Sequence, residues 1–147
     1  MEAFYEKKIM ELDKMHLSKV ELNILTENDE SYNKTIAPDK MIQYQNAIIN
    51  NSKPYPLNGK KTNVRIGVFP IGQIIFITNK KKINIDICDE RFFWNGQRTL
   101  KNAFISKKLV ELIIEDLEGV DGVEGIIRTL QKQTLFYDST NHNPQTP

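Results

Sequence analysis

The hydrophobic pattern of this chain changes its period twice, and this limits the fold more than any other feature. Apolar residues recur at helical spacing in the first 50 residues, alternate with polar residues between 64 and 87, and return to helical spacing after 105. A helix repeats every 3.6 residues and a strand every two residues. We therefore predict an α+β fold.

Helices are predicted at the N-terminus. Tyr5, Ile9 and Leu12 share one stripe of a helix at 2–15. Ser18 and Glu21 have the spacing of a capping box, which predicts that a second helix starts there. The apolar residues of this second helix would be Val20, Leu22, Ile24 and Leu25.

A third helix is predicted after a polar loop at 26–37. Pro38 suits the first position of a helix, where a missing N–H costs nothing. Met41 and Ile48 then follow helical spacing until Asn50. Residues 51–63 are rich in Pro, Asn, Gly and Lys, which predicts a loop.

The alternating middle of the chain predicts a three-stranded antiparallel β-meander. Short turn sequences at 70–72 and 79–81 separate its strands. The triplet Phe92-Phe93-Trp94 could extend the third strand, and Asn95-Gly96 is a strong turn signal. The strands would cover 64–69, 73–78 and the stretch marked by Ile83, Ile85 and Ile87.

A C-terminal helical hairpin completes the predicted fold. Its first helix runs from Ser106 to Glu118, with Gly119 just past the end. The second runs from about Val123 to Gln133. We predict one domain at 1–138 and a disordered tail at 139–147.

Composition favours a cytoplasmic protein with no membrane contact. The chain has 147 residues and a single cysteine, Cys88, so it lacks the cysteines for a disulfide framework. No segment approaches the roughly 20 apolar residues of a membrane span, and the first residues lack the apolar run of a secretory signal. The abundance of Ile, Asn and Lys is typical of an AT-rich genome, such as that of a phage or other mobile element.

Charge is strongly segregated along the chain, although the overall net charge is only +1. Residues 1–52 carry a net −3, residues 53–108 a net +9 and residues 109–147 a net −5. The predicted sheet is therefore basic and lies between acidic helices. Such a surface attracts either nucleic acid or an acidic protein partner.

We predict a non-enzymatic binding protein, with nucleic acid preferred as the ligand. Cations would track the phosphates and aromatic rings would stack on bases. The alternative interpretation is a lysine-rich turn that only keeps an exposed edge soluble. The predicted contacts are Arg65, Lys80, Lys81, Lys82, Lys107 and Lys108 to phosphates, with Phe93 or Trp94 stacking.

The predicted layout of helix, three strands and a helix opening with Ser106-Lys107-Lys108 resembles that of double-stranded RNA-binding domains. That resemblance implies that the lysine pair contacts phosphates. The glycines that the family has before the pair are absent here, and Leu109-Val110-Glu111 follows it instead of an Ala-Lys pattern. Helices before a basic wing at 80–82 also resemble a winged-helix domain.

A protein–protein interaction module is the alternative function. Val110, Ile114 and Val123 extend the apolar stripes of the last two helices beyond a narrow core face. Such broad stripes favour a buried helix, an oligomer interface or a groove for a partner. A small inhibitor, an adaptor or an assembly subunit would have this character, with a homo-oligomer through the C-terminal helices as one form.

Catalytic and metal signals are weak, so we expect neither an enzyme nor a cofactor. Gly59-Lys60-Lys61-Thr62 lacks the first glycine of a phosphate-binding loop. Asp86, Asp89 and Glu90 could hold Mg²⁺ at a strand end, but a solvated strand end explains them equally well. Cys88 has no histidine nearby in sequence and is expected to be a packing residue.

Overall fold

The computed structural model describes residues 2–55, 70–88, 90–95 and 99–141. Within these residues the chain forms four α-helices and a seven-stranded antiparallel sheet. In chain order the elements are α1 Glu2–Asp13, β1 Lys19–Leu25, β2 Ser31–Thr35, α2 Pro38–Ile49, β3 Lys53–Pro54, β4 Gly72–Ile77, β5 Lys82–Ile87, β6 Phe92–Trp94, a 3₁₀ turn Leu100–Asn102, β7 Ala103–Ile105, α3 Lys107–Asp116 and α4 Glu124–Asn141.

The strand order in the sheet is β2-β1-β4-β5-β6-β7-β3. Leu22, Ile74, Ile85 and Trp94 oppose one another across four neighbouring strands, so their side chains point to the same face. All four are fully buried, and they share one hydrophobic core with residues of the helices. The helices therefore cover this face, and contacts join α1 to α2, α2 to α3 and α3 to α4.

Much of the opposite face of the sheet is polar. Asn33, Asn23, Gln73 and Asp86 lie in one row across β2, β1, β4 and β5. The amide of Gln73 donates a hydrogen bond of 3.3 Å to Asp86. On β6 and β7 the same face is apolar, since Cys88, Phe93 and Ala103 form a small buried cluster there.

The predicted three-stranded meander is wrong, because the sheet has seven strands. The largest error concerns the second predicted helix, which is strand β1. Val20, Leu22 and Ile24 are buried and their neighbours Glu21 and Asn23 are half-buried, so burial alternates with the period of a strand. Ser18 does not cap a helix: its backbone N–H and its hydroxyl both donate to the carbonyl of Ile77 on β4.

The predicted polar loop contains the other half of a hairpin, strand β2. Only one of its five residues, Tyr32, is apolar, so its sequence carries no alternating signal. The strand forms because a tight turn at residues 26–30 returns the chain along β1, with Asp29 at φ 60°. Aspartate tolerates this left-handed conformation better than most residues.

The aromatic triplet is not an extension of β5. Phe92 to Trp94 form a separate strand, β6, which turns back and pairs antiparallel with β5 and with β7. Strands β3 and β7 were not predicted, because two or three residues carry too little pattern. The seven strands also overturn the resemblance to the three-stranded layout of double-stranded RNA-binding domains. The winged-helix alternative included the helix predicted at 18–25, and the structure has strand β1 there.

Other predicted elements are confirmed. Helix α1, helix α2 beginning at Pro38, the β4–β5 hairpin and helix α3 lie where the sequence pattern placed them. The last helix is longer than predicted and continues to Asn141, so the described part of the predicted tail is helical. The strand predicted at 64–69, Gly96 and residues 142–147 lie outside the described residues.

Of the helices that the structure describes, none is long and apolar enough to cross a membrane.

Candidate functional site

The three lysines of the β4–β5 hairpin lie at its exposed tip. Lys81 forms a 3.0 Å ion pair with Glu11 of α1. The hydrogen bond within this pair is the main reason that the pKa of Glu11 lies below its ordinary value. Within the described part of the chain, Lys80 and Lys82 have no ion-pair partner. Two of the three predicted cations are therefore available to a ligand.

A cleft of about 390 Å³ separates this tip from the end of α1. Its lining adds Lys14 and His16, which were not predicted, to Lys80 and Lys81. Both added side chains are exposed. Glu11 also lines the cleft, but its charge is compensated by Lys81. The cleft thus has a net positive charge.

The other predicted phosphate contacts do not join this cleft. Lys107 and Lys108 begin α3 just after β7, which runs away from the hairpin tip, so the two lysines lie at the opposite end of the strands. Lys107 is also paired with Asp138 at 3.0 Å. Arg65 lies outside the described residues. The predicted set therefore does not form one surface.

The predicted stacking residues, Phe93 and Trp94, are both fully buried. Trp94 packs on Phe104, with 4.8 Å between ring centroids, on the helix-covered face. Phe93 packs with Cys88 and Ala103 on the other face. A base can stack only on an accessible ring face, so neither residue offers the contact that the nucleic-acid hypothesis assigned to it.

A groove of about 680 Å³ lies between the second half of α3, the following turn and the start of α4. Its apolar lining includes Leu117 and Val123, which belong to the core, and the half-buried Ile114, Val120 and Ile127. Five exposed carboxylates also line it, and no Lys or Arg of the described segments does. These carboxylates are Glu111, Glu115, Glu118, Asp121 and Glu124.

Four of the five carboxylates are unpaired within the part of the chain that the structure describes. Only Glu115 has a partner, Lys40 of α2 at 2.8 Å. An apolar floor and a largely uncompensated negative rim therefore occur together. The combination can bind a segment that has both apolar and cationic side chains, as an amphipathic helix does.

The groove has its shape because α3 is fixed at both ends. At the start, the Ser106 hydroxyl accepts from the N–H of Leu109, which caps the helix, and lies within hydrogen-bonding distance of the carbonyls of Ala47 and Asn51. At the other end, Gly119 has φ 82°, a conformation that glycine adopts without strain. The chain can then reverse directly into α4.

A buried charge cluster also holds the end of α3 against α2 and the sheet. Asp116, which is 4% exposed, accepts hydrogen bonds from Tyr44 at 2.5 Å and from Lys34 at 2.8 Å, and Lys40 lies 3.5 Å away. Burial on its own would raise the pKa of Asp116. The hydrogen bonds and the two lysine charges outweigh burial and lower it. The raised pKa of Tyr44, caused first by burial and then by Asp116, keeps the phenol as a donor.

A second groove of about 680 Å³ flanks the other side of α4. Its apolar lining includes Leu25, Ile71 and Ile126, and its charged lining consists of Arg128, Lys132 and Glu27. The first half of α4 thus separates an acidic groove from a groove with basic side chains.

The catalytic candidates do not form a site in the described residues. Cys88 is buried at one end of β5, whereas His16 lies by the turn at the other end. Asp86 is buried and bonded to Gln73, and Glu90 pairs with Arg91 at 3.1 Å. Asp89 and the segment at 59–62 lie outside the described residues. Within those residues, no group of three or more metal-binding side chains is present.

The acidic groove was only partly predictable. The net −5 of residues 109–147 was visible, as was the apolar excess at Val110, Ile114 and Val123. Of these, Val110 and Val123 are buried in the core, and Val123 and Ile114 line the groove. The signal that could have located the groove is the spacing of Glu111, Glu115 and Glu118, which places three carboxylates beside Ile114 on one helix face.

No protein-family model, curated protein or solved structure matches the chain.

Proposed function

We propose that this chain is a non-enzymatic protein-binding module that holds a basic, amphipathic segment of a partner in the groove between α3 and α4. The observation that carries the proposal is the coincidence of a sizeable apolar floor with five carboxylates and, among the residues that the structure describes, no lining cation. Clefts of this volume are in the range that proteins use for ligands. The charge selects a cationic partner.

The apolar floor and the acidic rim of the groove contribute differently to the binding free energy. Burial of apolar side chains against Ile114, Val120 and Ile127 supplies most of the binding free energy. Exposed ion pairs contribute only about 0.2–1 kcal/mol each, but they select among apolar ligands by charge. A nucleic acid is disfavoured at this groove, because its phosphates would face unpaired carboxylates.

A labelled amphipathic helix of leucine and lysine, roughly 18 residues or five turns long, tests this proposal by fluorescence anisotropy. A leucine–glutamate helix of the same length is the matched negative probe. We expect saturable binding of the lysine peptide alone. The variant Glu111→Gln/Glu118→Gln should weaken binding about 3- to 10-fold, since it removes two ion pairs between the groove and the lysines of the peptide.

The control variant is Glu6→Gln/Asp13→Asn, which removes two exposed carboxylates of α1 and gives the same net charge. It should bind the lysine peptide as the wild type does. Equal weakening by both variants would show non-specific attraction to an acidic protein, and the proposal would fail.

Nucleic acid at the hairpin cleft is the second candidate function. The observation that favours it is a group of three lysines without ion-pair partners among the described residues. Lys14 and Lys80 line a cleft with net positive charge, and Lys82 lies at the adjacent hairpin tip. Contacts to phosphates would be independent of sequence and sensitive to salt. An acidic protein partner would use the same cations.

Anisotropy with labelled single- and double-stranded RNA and DNA, from roughly 50 to 300 mM salt, tests this candidate. We expect Lys80→Glu/Lys82→Glu to abolish binding and Lys7→Glu/Lys132→Glu to leave most of it. Absence of binding at low salt would eliminate nucleic acid. Binding of a polyglutamate peptide under the same conditions would assign the cleft to an acidic protein instead.

A further inference from the structure

Strand β2 ends the sheet, and within the described residues it pairs on one side only, with β1. The N–H of Ile36 donates to the carbonyl of Val20, and the N–H of Thr26 donates to that of Glu30. Hydrogen-bonded and non-bonded pairs alternate along an antiparallel ladder. Tyr32 and Lys34 therefore bond to β1.

It follows that the backbone groups of Ser31, Asn33 and Thr35 point away from the sheet. Three N–H groups and three carbonyls are thus presented in a row at this edge. Such a row is a template for another strand, and monomeric proteins usually protect it.

Two usual protective features, a proline and a charge that projects from the edge, are missing from β2. It contains no proline, and its one charged residue, Lys34, is held by Asp116 on the helix-covered face instead of projecting from the edge. The side chains on the opposite face, Ser31, Asn33 and Thr35, are short and uncharged. They present no like-charge repulsion to a second strand of the same sequence.

We propose that β2 pairs antiparallel with β2 of a second copy of this chain, about a two-fold axis at Asn33. In this register Asn33 faces Asn33 of the partner subunit, and Ser31 faces Thr35 of the partner subunit. All six outward backbone groups of each copy are then paired. The facing side chains can form Asn–Asn and Ser–Thr hydrogen bonds, which favour cross-strand pairs.

The helices beside this edge are also compatible with a second copy. Lys34 reaches Asp116, and Lys40 pairs with both Asp116 and Glu115, so these charges lie next to β2 on the helix side. Both signs are present, and the side chain of Glu115 is 59% exposed. A two-fold interface brings the same patch from both copies together. The positive and negative side chains of one copy can therefore pair with the opposite charges of the other copy.

Sedimentation velocity from roughly 10 µM to 1 mM protein tests the proposal, since dimerisation follows mass action. We expect the mass to rise towards twice 17.1 kDa with concentration. Asn33→Pro removes an outward N–H and no bond to β1, so it should fold and remain monomeric. Asn33→Thr keeps the N–H and should dimerise as the wild type does.

A second pair of variants keeps the test valid if the proline variant does not fold. Asn33→Lys and Asn33→Glu should each be monomeric, because like charges would face each other at the two-fold axis. An equimolar mixture of the two should dimerise again. A wild type that stays monomeric at the highest concentration would overturn the proposal. So would a dimer that N33P or N33K leaves intact, which would place the contact elsewhere, for example on the C-terminal helices.

Discussion

The α3–α4 groove and the β4–β5 hairpin tip lie at opposite ends of the sheet and have opposite charge. The groove is formed over core residues and next to the buried Asp116 cluster. The hairpin tip projects into solvent and is attached to α1 by one described ion pair, Lys81 to Glu11. Net charge alone favoured the hairpin over the groove as the binding surface, because residues 53–108 carry the largest net charge in the sequence.

The difference shows which kind of feature distinguishes a binding site from a solvated surface. Exposed charge is common on proteins and contributes little to affinity by itself. An apolar depression that remains open in a folded chain is less common and supplies binding free energy. The groove combines both features, whereas the hairpin has charge without accessible aromatic rings. The comparison predicts that substitutions in the buried Asp116 cluster beside the groove affect stability strongly and that substitutions at the hairpin do not.

The largest effect is expected from Asp116→Ala. It leaves the Tyr44 hydroxyl, Lys34 and Lys40 without their shared acceptor, and loss of one partner from such a buried cluster costs about 2–4 kcal/mol. Urea denaturation should show this decrease in the free energy of unfolding. The control Glu115→Ala removes an exposed carboxylate from the neighbouring position and should cost less than about 1 kcal/mol. Equal losses would mean that the cluster does not anchor α3.

A smaller effect is expected from acid. The folded pKa of Asp116 is lower than in the unfolded chain, so its contribution to stability is complete above about pH 4. This contribution is lost as the pH falls through the folded pKa. The difference in unfolding free energy between wild type and Asp116→Asn should therefore be constant near neutral pH and shrink below about pH 4. A difference that is unchanged at low pH would contradict a paired, ionised Asp116.

The smallest effect is expected at the hairpin. Lys81→Ala removes a surface ion pair and should lower the free energy of unfolding by less than about 1 kcal/mol. Lys80→Ala removes an exposed charge that has no ion-pair partner in the described segments, and it should change the free energy of unfolding by no more than about 0.5 kcal/mol. The same denaturation assay measures both. A loss of several kcal/mol for either would show that the hairpin is a structural element as important as the groove.

Sequence reasoning succeeded where a segment carried its own periodic signal. Pro38 and the residues after it defined α2, and the isoleucines of β5 defined a strand. It failed at β1, where Val20, Leu22, Ile24 and Leu25 fit either period and the Ser18–Glu21 spacing favoured a helix. The decisive interaction there is with β4, for example between Leu22 and Ile74, and a partner so distant in sequence leaves no local signal. Strand β2 exists only because β1 is beside it.

The candidate site was predictable to a lesser degree than the fold. The lysines of the hairpin turn were correctly expected to be exposed, because a polar turn between two apolar strands must lie at the surface. The burial of Phe93 and Trp94 depends on layers that pack on both faces of β6, and sequence alone does not define them. Similarly, the acidic residues of α3 line a groove only because α4 lies beside Ile114, and the sequence of α3 does not show this.

The most direct test of the central claim is to map where the leucine–lysine helix binds, by NMR titration of ¹⁵N-labelled protein. We predict the largest amide shift changes at Ile114, Val120 and Ile127, with little change at Lys80 or Lys82. Shift changes spread evenly over all exposed carboxylates, or an absence of changes at the α3–α4 groove, would contradict the claim that this groove is a binding site.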